Sequence, residues 1–118
     1  MAVGKILVAD DEREFCIFLK SCLNRLKFDV DVAYDGLEAK DLLIVNKYDF
    51  IFFDCNMPGL SGVELAKVIR ESSLDAKKIM VTGYGVVDED FINQFGIDVF
   101  LSKPVYIKDI ERVVRDGG

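Results

Sequence analysis

The chain has 118 residues, a length that suits one globular domain with its own core and no need of metal or disulfide staples. Its net charge of −6 speaks against a nucleic-acid-binding surface, and the absence of histidine excludes Ser-His-Asp and Cys-His nucleophile systems and imidazole metal sites. No run of about 18 apolar residues offers a membrane span, the N-terminal MAVGKILVAD is too briefly apolar for a signal peptide, and three cysteines without a C-x-x-C pair suit a reduced, cytoplasmic protein.

In chain order, short apolar runs alternate with stretches of helical period, the pattern of repeated βα units around a mostly parallel sheet. A first strand is predicted at Lys5–Ala9, followed by Asp10 and Asp11. Phe15, Phe18, Leu19, Cys22, Leu23 and Leu26 then fall on one helical face. The second strand, Phe28–Ala33, alternates Phe28, Val30 and Val32 with Asp29 and Asp31, which predicts an edge position. A helix over Leu37–Val45 leads to a third strand, Phe50–Asp54, that runs straight into a carboxylate. The turn Met57-Pro58-Gly59 precedes a helix over Ser61–Arg70, opened by the capping box Ser61-x-x-Glu64. A fourth strand, Lys78–Thr82, ends in Thr82-Gly83, and a short helix over Asp88–Phe95 is flanked by Gly83, Gly85 and Gly96, a composition that predicts mobility. The fifth strand, Val99–Ser102, is followed by Lys103-Pro104 and a last helix, Ile107–Val114.

In an open parallel α/β sheet, functional groups gather in the crevice at the carboxyl ends of the strands. This chain places Asp10, Asp11, Asp54, Thr82 and Lys103 at those ends. Each has a plain structural reading. Asp11 could N-cap the first helix with Glu14 completing the cap, Asp54 could start a turn, Thr82 could be an ordinary β-branched strand residue, and Lys103 could be solvated. Their convergence on one edge favours a shared role. Three carboxylates there repel one another unless a cation or protons intervene, and a hard divalent ion with oxygen ligands, Mg²⁺ first among them, resolves this. Cys55, beside Asp54, reads as a packed small residue rather than a redox centre.

The stretches ILVADDE, AYDGLEA, DCNMPGLSGVEL, MVTGYG and FLSKPV, in this order, resemble those of response-regulator receiver domains, and the likeness covers essentially the whole chain. It implies a flavodoxin-like (βα)5 three-layer sandwich, with a parallel five-stranded sheet in the order 2-1-3-4-5 and residues 1–118 forming a single receiver domain. By this resemblance Asp54 is the phosphoacceptor, taking a phosphoryl group from a phosphohistidine on a sensor histidine kinase or a phosphotransfer protein. Asp11, Asp54 and the backbone carbonyl of Asn56 would hold Mg²⁺, with Asp10 acting through water. Lys103 would pair with phosphoryl oxygens across a cis Lys103-Pro104 peptide, Thr82 would donate its hydroxyl, and Phe100 would reorient with Thr82. Asn56 and Tyr84 stand where the family tunes phosphoryl lifetime. The implied function is a switch that catalyses only its own phosphorylation and dephosphorylation. Its output would pass to a partner or further domain through the face of helix four, strand five and helix five, and a phosphorylation-dependent homodimer is among the states allowed.

Ile97, where a small residue is usual, and Val99, in place of a frequent acid, depart from the common pattern. Two other classes compete. A phosphohydrolase or mutase of the haloacid-dehalogenase type needs a second acid two residues after its nucleophile, where this chain has Asn56. A receiver-like fold kept only for interaction would not need Asp11, Asp54, Thr82 and Lys103 together.

Overall fold

Strands and helices alternate without exception in the computed structural model, which describes residues 2–83 and 89–115. They are β1 (Gly4–Ala9), α1 (Arg13–Arg25), β2 (Phe28–Ala33), α2 (Gly36–Val45), β3 (Phe50–Phe53), α3 (Gly62–Ser72), β4 (Lys77–Thr82), α4 (Glu89–Phe95), β5 (Val99–Ser102) and α5 (Ile107–Arg115). The strands form one parallel sheet in the order β2-β1-β3-β4-β5. The predicted order is therefore observed, with the alternating strand β2 at an edge. Asp88, the predicted start of the fourth helix, and the glycine at 85 lie outside the described residues.

Alternation along the central strands feeds two separate cores. Ile6, Val8, Phe52, Ile79 and Val81 pack with Cys16, Leu19 and Leu23 of α1 and Ile110 and Val113 of α5. Leu7, Ala9, Ile51, Phe53 and Met80 point the other way, toward Leu43 of α2, Leu65 and Ile69 of α3, and Phe95 of α4. Phe52 and Phe53 are each 1% exposed, and full burial of a side chain this size stabilises the fold by about 1.5–3 kcal/mol. Ile97, unusual by resemblance, belongs to this second core and follows a left-handed Gly96 (φ 66°) that ends α4.

α1 differs from its sequence reading in phase and in its cap. Cys16, Leu19 and Leu23 form its fully buried stripe, whereas Phe18 stands at the rim and is exposed. The N-cap is Glu12 rather than Asp11, and the Glu12 side chain makes no capping bond. Two residues earlier, Asp10 Oδ1 accepts the Glu12 N–H at 2.9 Å, an Asx turn that leads the chain into the helix. In α3 the predicted cap is present, with Ser61 Oγ accepting the Glu64 N–H at 3.1 Å while its hydroxyl faces Glu64 Oε1. α2 has an unforeseen cap of the same kind, Asp35 Oδ1 accepting from Glu38 N at 2.8 Å.

The start of α3 is also fixed by a close approach. A Cβ on Gly62 would lie 2.8 Å from Cys55 Cβ and 2.9 Å from the Cys55 carbonyl oxygen. In a helix Ala is ordinarily worth up to about 1 kcal/mol over Gly. Here Gly62→Ala is expected instead to destabilise by about 1–3 kcal/mol, the range for overpacking, read as a lower urea midpoint at unchanged slope. An unchanged or higher midpoint would show that the loop after β3 yields without strain.

Candidate functional site

Three charged residues at the carboxyl edge of the sheet, Asp10, Asp54 and Lys103, hang from the last carbonyl of a neighbouring strand. The Asp10 N–H donates to Ala33 O of β2 at 3.0 Å, the Asp54 N–H to Ala9 O of β1 at 3.0 Å, and the Lys103 N–H to Thr82 O of β4 at 2.9 Å. The parallel ladder thus runs one residue past the apolar strands and sets three charged side chains around one crevice. Asp54 lies just beyond β3 rather than within it, buried at 6% exposure. The apolar run Ile51–Phe53 is what anchors it, because a fully buried central strand leaves its first polar residue nowhere to go but the mouth.

Within the crevice, carboxylate oxygens of Asp10, Asp11 and Asp54 all lie within 4.8 Å of one another. Asp54 Oδ1 accepts the Asn56 N–H at 2.9 Å, an Asx turn that orients the carboxylate, and the Asn56 side chain is exposed. The Lys103 ammonium reaches Asp10 Oδ2 at 2.8 Å and Asp54 Oδ2 at 3.6 Å, and it also pairs with Glu12 Oε1. The ring of Phe15 closes its other side, its centroid 4.6 Å from Nζ. The Lys103-Pro104 peptide is cis. Thr82 ends β4, buried, with Gly83 after it, and among the described residues the position of a Cβ on Gly83 meets only Lys103 Cδ, at 4.0 Å.

Burial pushes the Asp10 carboxyl above the ordinary carboxylate value; Lys103 and the Glu12 N–H pull it back, and the Asp54 charge adds to the rise. For Lys103, burial acts to lower the ammonium, but Asp10 and Glu12, and then Asp54, outweigh it and hold the group above the usual lysine value. Asp10 Oδ2 is buried and pairs with the Lys103 ammonium at 2.8 Å, but among the described residues it has no well-aligned hydrogen bond, which leaves it capacity for a further partner. Three clustered carboxylates, an all-oxygen donor set and a buried oxygen with that capacity fit a hard divalent cation. Asp11, the exposed member, is the one open to solvent.

The crevice therefore brings together Asp10, Asp11, Asp54 and Lys103, with Thr82 on the adjoining strand end. Phe100 lies half-buried on β5, opposite Met80, and packs on the α2–α3–α4 side with Phe91 and Ile92. Tyr84 lies outside the described residues. Glu12 and Phe15 were not singled out as neighbours of Lys103. For Glu12 the signal was a third consecutive acid after Asp10 and Asp11. Cys55 packs against the α3-side core with its Sγ 3.5 Å from Met80 Sδ, and burial followed by the Asp54 charge pushes its thiol up to about 12. Burial of this kind disfavours the thiolate, in keeping with a packing role against the α3-side core.

Comparison with known proteins gives this arrangement a family. Among solved structures, a CheY-like receiver domain protein from Methanospirillum hungatei superposes with a TM-score of 0.91 at 26% identity, over 98% of this chain and 94% of that one. The response regulator TrrA of Thermotoga maritima, determined in complex with Mg²⁺-BeF, gives a TM-score of 0.83 at 32% identity over 98% of both chains. The response regulator ArlR of Staphylococcus saprophyticus is 28% identical over 111 residues, which is 94% of this chain and 50% of that protein. The chain thus spans about half the length of that relative. No helix among the described residues is long and apolar enough to cross a membrane. The family model for the response regulator receiver domain matches residues 6–115, and the chain belongs to that family of two-component signalling switches.

Proposed function

We propose that Asp54 is the phosphoacceptor of this switch and that the donor is a phosphohistidine on a sensor histidine kinase or phosphotransfer protein. The observation that carries the reading is the convergence of Asp10, Asp11, Asp54 and Lys103 on one strand-end crevice. In the transfer, an Asp54 carboxylate oxygen forms a bond to phosphorus as the phosphorus–nitrogen bond breaks. The electron pair returns to the imidazole nitrogen, which takes up a proton. Phosphoryl transfer asks a protein mainly for positioning and charge compensation. Lys103 compensates charge on the transferring oxygens, and Thr82 donates its hydroxyl to one of them. The Asx turn to Asn56 keeps the attacking carboxylate aimed, and Gly83 leaves the approach open. Asp11, Asp54 and the Asn56 carbonyl would hold Mg²⁺ directly and Asp10 through water; the ion, when bound, supplies positive charge to the acceptor and the transferring group.

Phosphorylation then shifts a population. Moving a 1:99 mixture to 99:1 takes about 5.5 kcal/mol of differential interaction, within reach of a few hydrogen bonds to charged groups at about 1.5–3 kcal/mol each. Thr82 closing on the phosphoryl group would draw Phe100 inward and alter the α4–β5–α5 face, where a partner or output domain would read the change. Loss of the phosphoryl group by hydrolysis would reset the switch. We place the domain, residues 1–118, in the cytoplasm, with no nucleic-acid contact of its own.

Incubation with acetyl phosphate and Mg²⁺ is expected to add one base-labile phosphoryl group per chain, seen as a single mass increment. A chain that takes up none would overturn the acceptor reading. Metal binding has its own test. A ligand that binds only the folded state stabilises it by about 2.7 kcal/mol at a hundred times its Kd. Mg²⁺ is therefore expected to raise the thermal midpoint, and Asp11→Asn to remove most of that rise. An equal rise in the variant would take Asp11 out of the metal site.

A further inference from the structure

Lys103 has more anionic partners than a phosphoryl transfer requires. Three acids surround its ammonium: Asp10 Oδ2 at 2.8 Å, Glu12 Oε1 in hydrogen-bonding contact, and Asp54 Oδ2 at 3.6 Å. Two of them are fixed, since the Asp10 and Asp54 side chains are 2% and 8% exposed, while that of Glu12 is 63% exposed. Glu12 also holds the N-cap position of α1, where a short side chain such as Asp or Ser would turn to the free N–H groups of the first turn. It makes no such bond, and reaches instead across 91 residues of sequence to Lys103.

An ammonium carries three donors. Asp10 and Glu12 are within hydrogen-bond distance of Nζ, and the Phe15 ring covers another side. A phosphoryl oxygen on Asp54 would need a donor from the same nitrogen. Asp10 is buried and held by the Glu12 N–H, so it is not the group that yields. Glu12, solvated and on a flexible stem, is.

We propose that Glu12 is a positioning residue that stands in for the phosphoryl group on Lys103 in the unphosphorylated domain and must release it for the phosphorylated state to form. This rests on Asp54 being the acceptor. Glu12 sets a threshold: it weakens every phosphoryl-like ligand of the crevice by the strength of its own pair with Lys103, and the freed carboxylate returns to water. Ion pairs with one exposed partner are modest, which places the effect at about two- to fivefold in affinity.

The probe is beryllofluoride, a non-transferable mimic of the phosphoryl group, titrated calorimetrically into the full chain at saturating Mg²⁺. Glu12→Gln and Glu12→Ala are expected to bind it about two to five times more tightly than the wild type, by the same estimate. Glu12→Asp keeps the charge but is one methylene shorter and does not reach Nζ, so it should match Glu12→Gln. Two results overturn the inference. If all three variants bind as the wild type does, Glu12 merely starts a helix. If Glu12→Asp alone keeps wild-type affinity, the effect is general repulsion of an anion and not the contact with Lys103. Labelling of wild-type Asp54 by acetyl phosphate, run alongside, separates the two levels. Label with unchanged affinities sinks this inference alone, while no label removes the acceptor reading and this one with it.

Discussion

Asp54→Asn is expected to lose the phosphoryl label completely while keeping the fold. A carboxamide oxygen is a far weaker nucleophile than a carboxylate, and the variant has no charge to share with a metal ion or with Lys103. The replacement is close to isosteric. Its side-chain oxygen can still accept the Asn56 N–H that orients Asp54 at 2.9 Å, and its backbone bond to Ala9 O is untouched. The substitution also removes a negative charge beside the buried Asp10, whose carboxyl is pushed up by burial first and by Asp54 in addition. The thermal midpoint without metal should therefore hold or rise. Intact-mass measurement after acetyl phosphate and Mg²⁺ decides the first point and a melting curve the second. Full labelling of the variant would show that the phosphoryl group resides elsewhere, and loss of label with a collapsed midpoint would show only that the site had unfolded.

The strand-end logic that locates Asp54 was available from residue order alone because each polar residue ends an apolar run long enough to be a buried strand. β2 and β5 begin and end where the alternation and apolar content placed them, Phe28–Ala33 and Val99–Ser102. Helix details were less legible. Phe18 and Leu23 have equal claims to the inner face of α1 by spacing, yet only Leu23 is buried, in the cluster with Ile6, Val8 and Val30 of the sheet and Ile110 and Val113 of α5. Of the two readings open for Asp11, the N-cap is not the one the fold uses, since Glu12 holds that position. Asp11 has the better capping side chain, but Asp10 is tied to β2 through its own N–H and is thus near enough to take the Glu12 N–H first. The Glu12–Lys103 and Phe15–Lys103 contacts span 91 and 88 positions, and no local pattern encodes a pairing made by the fifth strand's exit. Gly62 is equally silent in sequence, because its constraint is the Cys55 carbonyl above it.

Lys103 separates the two halves of the chemistry, because it serves the transferring group and opposes the metal ion. Its ammonium lies 2.8 Å from Asp10 and 3.6 Å from Asp54, two of the three carboxylates that converge in the crevice, so it competes with a divalent cation for the same charge. Lys103→Met keeps most of the length of the stem while deleting the charge and its contact with the Phe15 ring. Three effects are expected together. Without metal the variant should be less stable by about 1–3 kcal/mol, below the full cost of about 3–5 kcal/mol for orphaning a buried ion, because Asp11 and Glu12 are exposed to water and Asp10 can take up a proton. Mg²⁺ should bind more tightly than to the wild type and restore most of that loss, since the ion then faces the carboxylates unopposed. Phosphorylation by acetyl phosphate at saturating Mg²⁺ should nonetheless fall by about 10²–10³, the scale of losing one preorganised donor to developing charge. The opposite signs for metal affinity and transfer rate are diagnostic, for Asp11→Asn lowers both. A Lys103→Met protein that binds Mg²⁺ more weakly would mean that the lysine shapes the metal site rather than opposing it. One that is phosphorylated at the wild-type rate would leave the ammonium with a purely structural role between Asp10 and Glu12.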